Sequence, residues 1–329
     1  LFFRQVTILT EKHYRVSFKE ISLFKKIMAN SYNTLMLYLL LAGVCFGTIG
    51  LFVNIIGNDV STVLLVAIRL LSTGGLILFY QIAGGQLKEL SLSSKRSFVG
   101  ALIGGVLGFG LTFSLYLKSL VLIPVSEAVF LHYVAFPFST ILYSTVFQGE
   151  NIKTAELVSL AGTGVGVFFI YNVGFSGGLE SLFGYLMAFV SGVTYTAALI
   201  VLKELGKSKT TLQTLFWPAS FGGLSLVPVV LIGGFDFNLS GSSLSALLGL
   251  VFISTLLGYS LFARGLKETR AGLSSVIMII VEPFSAVVLA ILFLEEKLTP
   301  FALLGGGLIV LSGLLLYVTN SGTERVRQN

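Results

Sequence analysis

Phe113-Ser114-Leu115-Tyr116-Leu117-Lys118 returns 146 residues later as Tyr259-Ser260-Leu261-Phe262-Ala263-Arg264, and the same shift lays Pro137-Phe138-Ser139 on Pro283-Phe284-Ser285 without a gap. The match continues to Glu150 against Glu296 and Tyr171 against Tyr317, and at a nearby offset Gly43-Val44 meets Gly192-Val193. The chain therefore reads as two copies of one unit. Apolar runs of the length a bilayer crossing needs, about 20 residues, fall at 34–56, 62–83, 98–118, 124–147, 154–172, 180–202, 211–233, 243–264, 272–294 and 300–319. Five lie in each copy, and an odd number of crossings inserts the second copy upside down relative to the first. Transporters use such inverted repeats to supply two symmetry-related arrangements. The expected fold class is an all-α membrane protein of ten transmembrane helices in two inverted five-helix repeats.

Composition agrees: 55% of the 329 residues are hydrophobic and only 11% are charged, which excludes a soluble multidomain enzyme and a disordered chain. Connections are short and turn-rich, as in Gly57-Asn58-Asp59 and Gly233-Gly234, leaving no room for a separate soluble domain. The organisation reads as a basic cytoplasmic segment at 1–33, repeats at 34–172 and 180–319, and a cytoplasmic tail at 320–329. Met28 offers an alternative start, so whether 1–27 belong to the mature protein is left open.

Charge placement sets the expected orientation. With the N-terminus cytoplasmic, 18 of the 21 Lys and Arg fall inside, two (Lys118 and Lys297) fall outside, and Arg69 lies within a span. The positive-inside rule then places both termini in the cytoplasm of a cell-membrane protein. The net charge of +6 needs no nucleic-acid partner; the partners implied are the lipid bilayer and a small-molecule substrate, with a monomer or homodimer as the assembly. One Cys and two His make a Cys/His metal site implausible, and no cofactor is expected.

Arg69, Glu127 and Glu282 are the charges that stand inside spans. A central charge costs on the order of 2.5–3.5 kcal/mol on insertion scales, so such groups face a cavity or a partner. Glu282, directly before Pro283 at the middle of the ninth span, is read as a cavity residue that binds a cationic group or carries a coupling proton. The structural alternative is a neutral acid bonded to a neighbouring helix, or to a carbonyl freed by the proline. Glu127 is a candidate for the external mouth or an interfacial acid. His132, followed by Tyr133, is a candidate substrate ligand or a packing histidine. Five residues turn a helix well away from one face, so Glu127 and His132 are not expected to form one relay. Pro137 and Pro283, at matched positions, are candidate paired kinks. Gly104 and Gly108, in step with Gly100, form a small-residue ridge for close helix approach.

Arg69, Pro137, Gly149-Glu150-Asn151-Ile152, Gly162 to Tyr171, Pro283, Leu294-Glu295-Glu296-Lys297-Leu298-Thr299 and Gly305 to Gly313 together resemble the EamA family of the drug/metabolite transporter superfamily from about residue 34 to 319. The resemblance implies ten helices around a central cavity and movement of small metabolites, often outward. It also implies a packing or gating ion pair for Arg69 rather than substrate binding; Asp59 and Glu127 are the two candidate partners, between which the sequence does not choose. At Glu295 the chain departs from the glycine that resembling members commonly carry. The expected function is a non-enzymatic secondary transporter, an exporter of small organic metabolites such as amino acids. It works by alternating access around a midplane cavity, with proton coupling through Glu282. A non-transporting partner, a channel and an intramembrane enzyme are the competing classes. The enzyme class lacks a metal cluster or paired catalytic groups.

Overall fold

The computed structural model describes residues 18–92, 94–134, 141–142, 145–146, 149, 151–152, 154–174, 178–206, 211–233, 237–238, 240–268 and 271–328. Its elements, in order, are α1 (Phe18–Ile56), α2 (Thr62–Ala83), α3 (Lys95–Leu122), α4 (Val125–His132), α5 (Thr154–Gly174), α6 (Gly178–Gly206) and α7 (Thr211–Gly233). They continue with α8 (Gly241–Gly249, Leu250–Leu257 and Gly258–Glu268), α9 (Ala271–Leu294) and α10 (Pro300–Gln328). Among the described residues six helices are long and apolar enough to cross a membrane, and Thr154–Ile170, Ile280–Leu294 and Pro300–Leu315 are shorter apolar helices. Pro137 lies outside the described residues.

The sequence repeat is reproduced in the backbone. α3 divides into Lys95–Ile103, a π-helical stretch Gly104–Leu111 and Thr112–Leu122, and α8 divides at positions 146 residues further on. Each begins at a serine, Ser94 or Ser240, whose hydroxyl accepts from the amide three residues later, Ser97 or Ser243, as an N-cap serine should. In each, a threonine hydroxyl donates to the carbonyl five residues back: Thr112 to Leu107 at 2.9 Å and Thr255 to Leu250 at 2.8 Å. The wide turn leaves room for that reach. α4 and α9, and α5 and α10, also start 146 residues apart, whereas α2 and α7 start 149 apart.

The helices pair as a two-fold exchange. α1 packs on α8 and α9 as α6 packs on α3 and α4, while α2 pairs with α7 and α5 with α10. Glycines make the close approaches. A methyl added at Gly43 would sit 2.7 Å from the Val281 side chain of α9, and one at its counterpart Gly192 would sit 2.6 Å from the His132 carbonyl of α4. Gly104 and Gly108 bring α3 onto Val201 and Ala198 of α6, whereas Gly100 has open space beside it. Gly166 and Gly305 seat α5 against α10.

Polar contacts join the two copies at one end of the bundle. Ser243 and Ser240 donate to the Asp59 carboxylate at 2.5 and 3.1 Å, Val60 bridges Phe237, and the Asn238 amide donates to the Asp59 carbonyl at 2.8 Å. The Ser243 bond, then the Ser240 bond, holds the Asp59 carboxyl below its usual range. The Glu296 carboxylate accepts from the amides of Val125 (2.8 Å) and Ser126 (3.1 Å) and from the Ser126 hydroxyl. It thereby caps α4, whose own flanking residue, Pro124, supplies no side-chain cap. Glu295, just before it, has φ +54, and the residue at the matched place in the first copy is Gly149 with φ +66. The glycine commonly found there in resembling sequences suits this left-handed turn; the chain builds it from glutamate instead.

Candidate functional site

Where the copies meet, α2 contributes Arg69. Its side chain is fully buried. Nε donates to Thr255 Oγ1 of α8 at 2.6 Å, and the guanidinium lies 4.7 Å from the centroid of the Phe113 ring of α3. The aromatic face offers a desolvated cation some compensation. Nη1 and Nη2 have no hydrogen-bond partner among the described residues. Asp59 is engaged with Ser240 and Ser243, and Glu127 accepts from Tyr185 at 2.5 Å. Neither acid is the partner expected for Arg69; the acid in electrostatic reach of its guanidinium is Glu282.

Glu282 stands on α9 beside buried Pro283 and is itself partly exposed. Tyr133, the residue just past α4, is its hydrogen-bonding neighbour, and the Tyr133 hydroxyl is placed to donate to the Met278 carbonyl at 3.2 Å. Tyr116 of α3, Tyr195 of α6 and Tyr259 of α8 lie within electrostatic reach of both Arg69 and Glu282. Since these neighbours are interior residues, the carboxyl faces the inside of the bundle.

His132 is buried one residue from Tyr133. Its Nδ1 pairs with Ser191 Oγ at 2.8 Å, and its ring stacks on Tyr116 (4.3 Å between centroids) and tilts against Tyr195 (5.0 Å). Glu127 and His132 thus reach different partners on α6, Tyr185 and Ser191, and form no relay. Glu127 belongs to the end of the bundle near the Glu296 cap, since both engage the first turn of α4.

The centre therefore assembles Arg69, Glu282, Tyr133 and His132, sets Glu127 apart, and adds Tyr116, Tyr195, Tyr259, Thr255 and Phe113. The signal that finds them lies in the repeat. Tyr116 is opposite Phe262, Tyr195 opposite Phe46, Tyr259 opposite Phe113 and Thr255 opposite Phe109. A polar group whose counterpart is apolar marks the interior site. Among the described residues no group of three or more His, Cys, Asp or Glu is placed to hold a metal ion.

Long apolar helices in two exchangeable copies around a buried charged centre define an integral membrane protein of transporter type. The chain belongs to the EamA-like transporter family, whose model matches residues 33–172 and 182–318. It is similar to an uncharacterized transporter of Archaeoglobus fulgidus, 28% identical over 284 residues and covering 84% of this chain and 94% of that one. It is also similar to the uncharacterized inner membrane transporter YicL of Salmonella typhimurium, 29% identical over 295 residues and covering 87% and 95%. A solved crystal structure shares the fold with a TM-score of 0.60 at 20% identity, covering 85% of this chain and 96% of that chain.

Proposed function

We propose that the protein is a secondary transporter of the cell membrane that exports small organic metabolites such as amino acids. Ten spans in two inverted repeats rock about a midplane site by alternating access, with both termini cytoplasmic. The observation that carries this reading is the buried Arg69 cation and the partly exposed Glu282 carboxyl at the meeting of the copies. A bundle held together by packing alone has no need of intramembrane charges that each cost a few kcal/mol. The two-fold exchange of helix pairs supports the rocking, because one set of contacts serves two arrangements.

Glu282 also carries the proposed coupling proton. The titratable or charged groups facing it are Arg69 from α2, Tyr116 from α3, Tyr133 just past α4, Tyr195 from α6 and Tyr259 from α8. In proteoliposomes, Glu282→Gln is expected to abolish proton-driven uptake and flatten its pH dependence. Flux equal to wild type at every pH removes Glu282 from the mechanism.

A further inference from the structure

The turn from α3 into α4, Ile123 and Pro124, is tied in two different ways. Within the group of α3, α4 and α6 it is fixed by Tyr185, which donates to Glu127 at 2.5 Å, and by Gly184, which lies against Leu122 and Ile123. Two further ties cross to the group of α1, α8 and α9. Asn54 of α1 donates through Nδ2 to the Leu120 carbonyl, in the last turn of α3, at 3.0 Å. The Glu296 carboxylate accepts from the Val125 and Ser126 amides at 2.8 and 3.1 Å and from the Ser126 hydroxyl. Glu296 is itself anchored to α9, because its amide donates to the Ala290 carbonyl at 3.2 Å. Between these ties the Val125 side chain seats on Gly50 of α1, with no room for a Cβ. When one packed group of helices moves against another, bonds inside a group persist and bonds between groups part. The crossing ties end on a carbonyl at a helix C-terminus and on amides at a helix N-terminus, which water can serve once they part.

We propose that the α3–α4 turn is a gate to the centre, shut in this arrangement of the helices, and that Asn54 and Glu296 are its two fastenings. The inference rests on the transporter reading above and names contacts that must break for the centre to open at this end. Val129 lies behind the turn. It is buried on α4, three and four residues before His132 and Tyr133, a spacing that puts it on their side of the helix and one turn nearer the gate. Opening of the gate uncovers it.

The test uses the purified full-length protein in lipid nanodiscs. Cys45, the one cysteine of the chain, is replaced by serine, and Val129→Cys becomes the reporter, with Ala128→Cys in its place if that variant does not fold. The rate of reaction with a membrane-impermeant maleimide is measured with the fastenings intact and after Glu296→Ala or Asn54→Ala. Labelling is expected to be slow with both fastenings in place and to rise about tenfold with Glu296→Ala, the shift in open population that loss of a helix cap produces, with a smaller rise for Asn54→Ala. Asp59→Ala is the control. It breaks the bonds from Ser240 and Ser243 at the same end of the bundle, but these join α8 to the turn after α1 and do not reach the α3–α4 turn, so labelling is expected to stay at the starting rate. An unchanged rate with Glu296→Ala overturns the gate, as does an equal rise with Asp59→Ala, which would mean general loosening, or labelling of the fastened protein as fast as of the urea-unfolded chain. Because labelling needs no solute, each of these leaves the transporter reading intact. Absence of counterflow with amino acids, sugars, nucleosides and amines by the wild-type protein in proteoliposomes overturns that reading, whatever the labelling.

Discussion

Glu296→Ala is expected to destabilise the protein by about 2–3 kcal/mol. The carboxylate accepts from two successive amides at the start of α4, Val125 at 2.8 Å and Ser126 at 3.1 Å, and from the Ser126 hydroxyl. Pro124 at the flanking position offers no substitute. Loss of an N-terminal cap costs about 1 kcal/mol, within a range of roughly 0.5–2. Loss of a negative charge from a partly buried helix N-terminus costs up to about 2 more. Glu296→Gln keeps an acceptor without the charge, so its cost falls at about half that of alanine. Ser126→Ala removes one bond of the three and costs least, about 0.5–1.5 kcal/mol. At roughly 2 °C per kcal/mol for a long chain, thermal melting of the purified protein drops by about 4–6 °C for alanine, in the order alanine, glutamine, then Ser126→Ala. Alanine and wild type melting together would refute the cap. Ser126→Ala matching Glu296→Ala would place the stabilisation in the hydroxyl bond and not in the helix terminus.

Glu295→Gly is expected to stabilise by about 0.5–1 kcal/mol, because φ +54 at this position strains a residue with a Cβ and not glycine; a lower melting temperature contradicts this. Gly192→Ala places a methyl 2.6 Å from the His132 carbonyl and 3.1 Å from that of Leu131, and since backbone yields little the cost is about 1–3 kcal/mol. Gly100→Ala, with nothing within 4 Å, is the neutral or slightly stabilising control, and equal melting of the two variants refutes the packing argument. Asp59→Asn tests the tie to α8. Bonds from Ser243 and then Ser240 lower the folded carboxyl below its ordinary value of 3.8, so its contribution is complete above that value and fades as pH falls through the lower folded one. Wild type and variant should differ in melting at neutral pH and converge in acid; a constant gap across pH contradicts the linkage.

Much of the fold is legible in the sequence because bilayer crossing imposes length and hydropathy directly. The runs at 62–83 and 211–233 coincide with α2 and α7, and the 146-residue shift recurs in helix starts, caps and wide turns. The π-helical stretches were not legible, since Gly104–Leu111 is glycine-rich and Leu250–Leu257 is not; their shared backbone comes from packing. Arg69 and Glu282 stood out by scarcity of charge, but which acid lies near the arginine depends on the order of helices in the bundle. Sequence distance carries no such information, and both acids proposed from it proved to be committed elsewhere. Glu296 was visible as half of a repeated pair, yet its capping role requires α4 and the turn before α10 to meet at one end.

The distribution of chemistry over the two copies bears on what the centre does. Frame elements recur in both: the serine caps, the wide turns, and Gly43 with its counterpart Gly192. Polar groups of the centre do not recur, for Arg69 is opposite Pro218, Glu282 opposite Phe136, His132 opposite Met278 and Tyr133 opposite Ile279. A buried ion pair serving only the frame would gain from being made twice, once in each copy, as the packing contacts are. A single solute at the meeting of two related halves has no two-fold symmetry of its own. On the proposed function, each half therefore presents the solute with different chemistry. The position of Arg69 in the first copy and of Glu282 in the second meets that requirement.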